Sequence, residues 1–345
     1  MSDVRPIGIY YEHPDWFRPL FAELDRRGVS YERVNATESF YDATSNADAR
    51  FGVVFNRMSP SAYLRGRGHT ILYTLSYLSH LEQLGVRVIN GVSAFRVETS
   101  KALQLSVLRT LGLPFPAARV INHPTQALAA AEGLRYPIVV KPNIGGSGAG
   151  IIRFDRPDDL ARAVDEGRVN LGIDATGLVQ EYIPARNGHI TRVEILGGSY
   201  LYAINVFGTA DSFNLCPADI CLTTDGVTLD RAACPADAPK NTIRVEGATA
   251  PDDAIEAVER IMETAGIDVG GVEYVVDDRD GQRYYYDVNA LSNFVADAPR
   301  VIGFDPFERL VDFLEAQQAV TQVPEPRVLT EPAVSAGITE GATRW

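Results

Sequence analysis

Lysine is rare in this chain, and one of its lysines directly precedes a glycine-rich turn. Among 345 residues the lysines are Lys101, Lys141 and Lys240. Lys141 ends the apolar run 136–141, and residues 142–150 contain four glycines before a second apolar run starts at Ile151. A lysine binds phosphate as a point charge, and small residues let backbone N–H groups approach phosphate oxygens closely. The pattern therefore predicts a phosphate-binding hairpin.

A second group of chemically suited residues lies far along the chain, in the acidic and aromatic stretch 270–289. Two apolar runs flank an aspartate-rich turn that ends at Gly281, and this arrangement is a strong hairpin signal. Glu273 lies in the first run, whereas Asp287 and Asn289 lie in the second. Because side chains alternate along a strand, Asp287 and Asn289 point to the same face.

The register of this hairpin decides whether the two carboxylates meet. A three-residue loop with Gly281 in the left-handed conformation pairs Asp278 with Gln282 and puts Glu273 opposite Asp287, with Cβ atoms about 4.5–5.5 Å apart. A slip of one residue would move Glu273 to the other face. Facing carboxylates repel each other unless a cation lies between them, and oxygen ligands of this kind suit Mg²⁺. A solvated hairpin with scattered acids is the alternative.

Composition narrows the class of protein. Apolar residues make up 46% and charged residues 22% of the chain, as in ordinary globular proteins. A net charge of −13 argues against nucleic acid or an anionic membrane as a partner. The first residues lack the apolar core of a secretory signal, and no stretch of about 20 apolar residues appears. We therefore expect a cytoplasmic protein of two or three lobes.

The cysteines lie together in a polar, loop-like segment, residues 208–247, whose secondary structure the sequence does not predict. They are Cys216, Cys221 and Cys234. Their spacing matches no common zinc pattern, and no histidine lies nearby to complete a tetrahedral site. Structural or incidental thiols are the favoured interpretation, and a metal or redox role is the alternative.

The remaining segments predict the elements that position these residues. Residues 4–91 alternate strand and helix patterns, which predicts a parallel sheet covered by helices. Ser100 is predicted to cap a helix that runs to Leu111. Strands and two helices are then predicted before and after the glycine turn, as far as residue 183. The last part is predicted to contain a hairpin around Gly197, a helix over 252–265, the carboxylate hairpin and a helix over 307–316.

These features in this order resemble the ATP-grasp superfamily, and most closely its RimK-type and glutathione-synthetase-like carboxylate–amine ligases. Neither a Walker A motif nor a Rossmann fingerprint fits the glycine turn. The resemblance covers roughly residues 50–318. It implies an α/β fold with α+β lobes, in which an N-terminal parallel-sheet domain precedes two lobes that clasp ATP. The implied domains are an N-terminal substrate-side domain 1–92, a central lid lobe 93–183, a C-terminal catalytic lobe 184–320 and a flexible tail 321–345.

The resemblance also implies a role for each matching residue. The implied phosphate contacts are Lys101, Lys141, Gly145, Gly146, Ser147, Gly148 and Gly150. The implied adenine and ribose contacts are Gln180, Glu181, Tyr182 and Ile183. The implied ligands of one or two Mg²⁺ ions, with Mn²⁺ as an alternative ion, are Glu273, Asp287 and Asn289. The catalytic cations are Lys141 and Arg192, the latter steadying an acyl-phosphate. The tentative substrate residues are Arg57, Ser59, Ser292, Asn293 and Arg300.

Some positions depart from the family pattern or have a structural alternative. Ile190 stands where many relatives have aspartate, Asp287 replaces the usual glutamate, and residues 205–208 lack a basic residue found in many relatives. Arg192 has a structural alternative as the ion-pair partner of Glu194. His189 is interpreted as a surface or packing residue. Substrate identity and part of the γ-phosphate contact therefore stay open.

The function implied by the resemblance is ATP-dependent amide formation through an acyl-phosphate, with release of ADP and phosphate. The substrates would be small or peptide carboxylates and amines, joined between two molecules or within one. The alternatives are a phosphotransferase and a nucleotide-binding protein without turnover. Two- and four-subunit assemblies are common in the resembled family, so a homo-oligomer and a monomer both stay open.

Overall fold

The computed structural model describes residues 5–146, 148–208 and 244–320. Ser147, the three cysteines and the predicted tail lie outside the described residues. The described part forms three β-sheets with helices packed against them. No helix in this part of the chain is long and apolar enough to cross a lipid bilayer.

The first sheet is parallel, as the alternation of the first 91 residues predicted. Its order is β2-β1-β3-β4, and the strands are β1 (Ile7–Tyr11), β2 (Tyr31–Asn35), β3 (Val53–Arg57) and β4 (Arg87–Ile89). Helix α1 (Arg18–Arg27) packs on one face and α2 (Gly68–Gln83) on the other. Strand β2 was not predicted, because it is a partly exposed edge strand with charged residues and no apolar alternation.

Two short helices lead from this sheet to the second. Helix α3 (Val92–Glu98) was not predicted, and helix α4 (Lys101–Thr110) begins as expected after Ser100. The Ser100 hydroxyl accepts the Leu103 N–H at 3.2 Å and so caps α4.

The second sheet is antiparallel and has the order β5-β8-β6-β7. Its strands are β5 (Ala118–Ile121), β6 (Ile138–Pro142), β7 (Ile152–Phe154) and β8 (Gly177–Glu181). Helices α5 (Ala127–Ala131) and α6 (Pro157–Asp165) cover one face with a shared apolar core. The glycine-rich turn, residues 142–150, joins β6 to β7 and is called the glycine loop below.

The third sheet is antiparallel with the order β11-β10-β9-β12-β13. Its strands are β9 (His189–Leu196), β10 (Ser199–Phe207), β11 (Arg244–Ala248), β12 (Val269–Val276) and β13 (Arg283–Asn289). Helix α7 (Asp252–Ala265) has the predicted bounds, and α8 (Ala298–Ile302) and α9 (Pro306–Val320) follow β13. Helix α9 returns to pack against α1 beside the first sheet.

Side-chain alternation gives the third sheet two different faces. Apolar residues such as Val193, Ile195 and Val272 pack against α7. The intervening residues Arg192 and Glu273 are also buried, but they point to the opposite side. Burial of charged residues along a sheet face is costly unless they are paired or bind a ligand, so this face is where a site is expected.

Asn90 ties the first sheet to the third. Its side-chain amide donates to the backbone oxygens of Val269 at 2.7 Å and Ala290 at 2.6 Å. Its side-chain oxygen accepts the N–H groups of Asp268 and Val269. These bonds hold the segment after β13 against the first lobe, and that segment borders the site described next.

Candidate active site

A cleft of about 600 Å³ lies between the three sheets and receives side chains from all of them. Of the sequence-predicted site residues, those that line it are Ser59, Lys101, Lys141, Gly145, Gly146, Gly148, Gln180, Glu181, Tyr182, Ile183, Arg192, Glu273, Asp287, Asn289 and Asn293. Those described but not lining it are Arg57, Gly150, Ser292 and Arg300. Among these predicted residues, the cleft brings together positions as far apart in the sequence as Ser59 and Asn293.

The two lysines reach the cleft from different elements that Asn143 holds together. Lys141 lies in β6, and Lys101 is the first residue of α4. The Asn143 side-chain oxygen accepts the Ala102 N–H at 2.9 Å, and its backbone oxygen accepts the Lys101 N–H at 3.2 Å. Asn143 thus fixes the start of α4 beside the end of β6.

The two ammonium groups have different electrostatic surroundings. Lys141 is only 5% exposed, and burial together with the positive charge of Lys101 lowers its pKa to about 7. Burial also disfavours the charged form of Lys101, but an ion pair with Asp287 outweighs burial and raises the pKa of Lys101 above its usual value. Of the two lysines, Lys141 is therefore the one without an ion-pair partner among the described residues.

The carboxylate hairpin has the predicted pairing at the cleft but a different turn. Glu273 lies opposite Asp287, and Gly281 has the left-handed conformation with φ +79°. The expected pairing of Asp278 with Gln282 is wrong, because the Asp277 N–H bonds to the Gln282 oxygen at 2.9 Å instead.

A β-bulge next to Glu273 compensates for the one-residue difference at the turn. The bulge inserts Tyr286 beside Asp287, and both residues line the cleft. The Tyr286 hydroxyl donates to a Glu273 oxygen at 2.9 Å. A regular strand would have placed these two neighbours on opposite faces.

Arg192, Glu273 and Asp287 each have a partner of opposite charge on the floor of the cleft. Arg192 donates to Glu194 at 2.6 Å and to Glu273 at 3.3 Å, so the expected structural pairing with Glu194 is present while Arg192 also lines the cleft. Burial and then repulsion by Asp287 raise the pKa of Glu273. Burial would raise the pKa of Asp287 as well, but Lys101 and Lys141 hold it below the usual value.

The donor set fits a hard divalent cation. Glu273, Asp287 and Asn289 offer two carboxylates and one amide oxygen, and all three line the cleft. Within the described residues no group of three or more His, Cys, Asp or Glu residues could hold a metal alone. Mg²⁺ usually binds through one or two carboxylates and completes its shell with water and phosphate, which is consistent with this set.

The hinge strand β8 and the residues after it form the other end of the cleft. The Glu181 carboxylate accepts the Arg135 N–H at 2.8 Å, and the Tyr182 N–H donates to the Pro137 oxygen at 2.9 Å. The Arg153 guanidinium lies 4.6 Å from the centroid of the Tyr182 ring. Arg153 also lines the cleft, although no sequence pattern had pointed to it.

The residues that the resemblance assigned to the substrate lie in two different places. Arg57 is buried and donates to the Ser292 backbone oxygen and to the Asn293 side-chain oxygen, so it fixes the loop that carries Asn293 into the cleft. Arg300 is 75% exposed in its side chain and pairs with Asp297. The structure therefore does not bring Arg300 to the cleft.

Three further cleft residues escaped the sequence analysis. They are Trp16, Ser61 and Glu98. Trp16 precedes α1 in a 3₁₀ turn, and Ser61 lies two residues after Ser59 in another. Glu98 ends a helix that was not predicted. Its helix ends before Lys101 begins the next one, so no helical spacing linked the two residues in the sequence.

Comparisons with known proteins show which proteins this chain resembles. Residues 98–214 match the family model of the RimK-like ATP-grasp domain. A D-alanine–D-alanine ligase of Anaplasma centrale is 38% identical over 115 residues, which are 32% of this chain and 52% of that protein. A D-alanine–D-alanine ligase of Stutzerimonas stutzeri is 29% identical over 238 residues, which are 66% and 69% of the two chains.

A solved structure extends the likeness over most of the chain. The ATP-grasp ligase PsnB, complexed with a minimal precursor, has a TM-score of 0.63 and 18% identity, and covers 91% of this chain and 99% of its own. The chain spans about half the length of the first curated relative, with 52% of that protein matched. Together these findings show that the chain has an ATP-grasp fold and that residues 98–214 resemble a RimK-like ATP-grasp domain.

Proposed function

We propose that this protein is an ATP-dependent carboxylate–amine ligase that forms an amide through an acyl-phosphate and releases ADP and phosphate. One observation carries the proposal. A single cleft is lined by Lys101, Lys141 and Arg192, by the facing carboxylate pair Glu273 and Asp287, and by residues of the glycine loop. Cations placed beside oxygen ligands in this way suit a nucleotide triphosphate with its metal.

The hinge end of the cleft is proposed to bind the nucleoside. Backbone groups of residues 180–183 and the Glu181 carboxylate would contact adenine and ribose. Glu181 is already oriented by its hydrogen bond to Arg135, so little ordering is required when the nucleotide binds. Tyr182, packed beneath Arg153, adds an aromatic wall to this end.

Glu273, Asp287 and Asn289 are proposed to hold one or two Mg²⁺ ions, with Mn²⁺ as an alternative. When bound, the ion neutralises negative charge on the β- and γ-phosphates. Before substrates bind, Lys101 neutralises Asp287 and Arg192 neutralises Glu273. Phosphate oxygens would compete with these carboxylates for Lys101 and Arg192. Lys141 has no ion-pair partner among the described residues, so phosphate would not have to displace a carboxylate from it.

The proposed reaction has two steps. An oxygen of the substrate carboxylate attacks the γ-phosphorus, and the bond from that phosphorus to the β–γ bridging oxygen breaks, which gives an acyl-phosphate and ADP. The uncharged amine nitrogen then attacks the acyl carbon, the bond from that carbon to the phosphate oxygen breaks, and the departing phosphate takes up the proton that the nitrogen loses. Lys141 and Arg192 stabilise negative charge during both steps, because preorganised cations in a buried site act without solvent reorganisation.

The glycine loop is proposed to exclude water from the acyl-phosphate by closing against the first lobe. A Cβ atom added at Gly146 would lie 3.2 Å from the Ser61 Cβ, whereas one added at Gly145 would meet nothing closer than 3.9 Å. Neither glycine has a left-handed φ, so alanine fits the backbone at both.

Gly146→Ala is therefore expected to reduce kcat by about three- to tenfold, because a displaced loop misplaces the reacting groups. The matched control, Gly145→Ala, is expected to stay within about twofold of the wild type, since an ordinary van der Waals contact needs no displacement. Steady-state ADP release measures both variants. Equal effects from the two substitutions would contradict closure against Ser61.

The substrates belong to this proposal as well. We propose that they are an amino acid, a peptide or a similar small carboxylate, together with an amine. A cytoplasmic location is also proposed.

The experiment that tests the function measures ADP release with Mg-ATP and pooled amino acids and small carboxylic acids. Mass spectrometry of the same mixtures follows the products, and Asp287→Asn serves as the blank. ADP together with a product one water lighter than its precursors supports the ligase. ADP together with a phosphorylated product contradicts the ligase in favour of a phosphotransferase. The absence of ADP with every pool counts against turnover of these substrates.

A further inference from the structure

Glu98 is a buried acidic residue in the cleft that the proposed mechanism does not use. It ends α3, is 8% exposed and lines the cleft. One carboxylate oxygen accepts the backbone N–H of Ala290, the residue after Asn289. The side chain is thus held at the border between the first lobe and the carboxylate hairpin.

Glu98 differs from the other acids that line the cleft. Those acids each have a cationic side chain within 4 Å, in the pairs Glu181–Arg135, Glu273–Arg192 and Asp287–Lys101. Glu98 has no ion pair with any residue of the described ranges 5–146, 148–208 and 244–320. Lys101 and Arg57 attract it only over a longer distance, and Asp287 repels it.

The surroundings of Glu98 therefore leave a negative charge uncompensated. Burial, which is the largest cause, and repulsion by Asp287 raise the pKa of Glu98 to about 7. A carboxylate at the last residue of a helix also lies at the negative end of the helix dipole. A buried charge of this kind is strongly disfavoured until a cation pairs with it. Since the described residues supply no such cation, one from outside the chain would stabilise the ionised form of Glu98.

We propose that Glu98 binds the ammonium group of the amine substrate, which is therefore a primary amine or ammonia that carries a positive charge in solution. Because an ammonium has no lone pair, it gives one proton to the Glu98 carboxylate before its nitrogen attacks the acyl carbon, and Glu98 later releases that proton to solvent. This inference rests on the proposed ligase function. An ammonium has three donors arranged around a compact charge, and a carboxylate in a dry cleft is its natural partner. The neighbouring residue Leu291 also lines the cleft and offers apolar contact for the carbon next to that nitrogen.

Glu98→Gln tests the inference because it keeps the shape of the side chain and removes its charge. The experiment compares acceptors that differ in charge but can attack the same acyl-phosphate. Pooled amino acids and ammonium chloride supply ammonium groups. Hydroxylamine is mostly uncharged at pH 7.5 and traps the acyl-phosphate as a hydroxamate. The wild type, Glu98→Gln and Glu98→Asp are compared at saturating Mg-ATP, and thermal unfolding confirms that each variant folds.

For Glu98→Gln we expect kcat/KM for the ammonium acceptors to fall by about tenfold or more, as when one partner of a buried charge pair is lost. Hydroxamate formation and the KM for Mg-ATP are expected to stay within about twofold of the wild type, since neither depends on an ammonium contact. Glu98→Asp restores part of the loss because it keeps the charge.

Other outcomes overturn the inference in distinguishable ways. Equal losses with hydroxylamine and with ammonium acceptors would show that Glu98 acts structurally, and a raised KM for Mg-ATP would assign it to the metal and phosphates. Unchanged kinetics, or condensation by the wild type only with an uncharged acceptor, would also overturn it. If the wild type forms no hydroxamate with any carboxylate, the proposed ligase function fails together with this inference.

Discussion

Lys141→Met is expected to abolish ATP turnover and, at the same time, to raise the melting temperature of the nucleotide-free protein. Lys141 is buried beside Lys101, and its pKa is lowered to about 7. The surroundings therefore disfavour its charge, although that charge is needed for phosphate. Methionine keeps an unbranched side chain of similar length and removes the unfavourable charge. The residue would thus be retained for function at the expense of stability.

The gain in melting temperature from Lys141→Met should depend on pH in a defined direction. An unfolded lysine has a pKa of about 10.4, whereas the pKa of Lys141 in the folded protein is about 7. Between these values the unfolded chain binds more protons, so Lys141 makes the wild type more stable as pH rises through this window. Its destabilising effect is complete below about pH 7. The gain in melting temperature from Lys141→Met should therefore shrink steadily from pH 7 to pH 10.

Thermal unfolding with and without Mg-ATP measures this prediction, and Lys101→Met is the matched control. Without nucleotide, Lys141→Met should melt about 2 °C or more above the wild type. Lys101→Met should melt below it, because Asp287 loses its ion-pair partner. Saturating Mg-ATP should reverse the order of Lys141→Met and the wild type, since only the wild type gains stability from tight binding. A lower melting temperature for both lysine variants would contradict the assigned difference between them.

The sequence predicted the parts of the site that depend on local patterns. The scarcity of lysine identified Lys141, and the glycines after it identified the loop between β6 and β7. The hairpin pattern predicted that Glu273 and Asp287 would face each other, and the structure has that pairing. Apolar periodicity likewise predicted helix α7 with its observed bounds.

The sequence could not predict features that depend on contacts between distant segments. The bulge at Tyr286 corrects a turn that differs by one residue, and strand alternation alone contains no signal for such an insertion. Arg300 was grouped with the substrate residues, but α8 carries it to the surface, where it pairs with Asp297. The unpaired state of Glu98 depends on which cations fold near it, and that is a property of the assembled cleft.

Asp287→Asn is the second substitution with a large expected effect, because Asp287 combines two roles. It pairs with Lys101 in the nucleotide-free protein, and it is proposed to bind the metal together with Glu273. Asparagine keeps the size of the side chain but removes the negative charge that would attract Mg²⁺. We expect kcat/KM for Mg-ATP to fall by about 100-fold or more, in the range seen when a preorganised charge is removed from a site.

Loss of the Asp287 charge should also affect its two charged neighbours, Glu273 and Lys101. Without the charge of Asp287, the repulsion that helps to raise the pKa of Glu273 is lost, while Lys101 keeps its burial and loses its anion. The variant should therefore need a higher Mg²⁺ concentration for residual turnover and should melt below the wild type. Asp278→Asn is the matched control, since this exposed residue lies in the turn of the same hairpin and faces only Arg186 at 4.0 Å. ADP release measured across a Mg²⁺ titration distinguishes the two variants. If Asp287→Asn and Asp278→Asn gave the same Mg²⁺ dependence, the carboxylate hairpin would not be the metal site, because only Asp287 faces the lysines that are proposed to hold the phosphates.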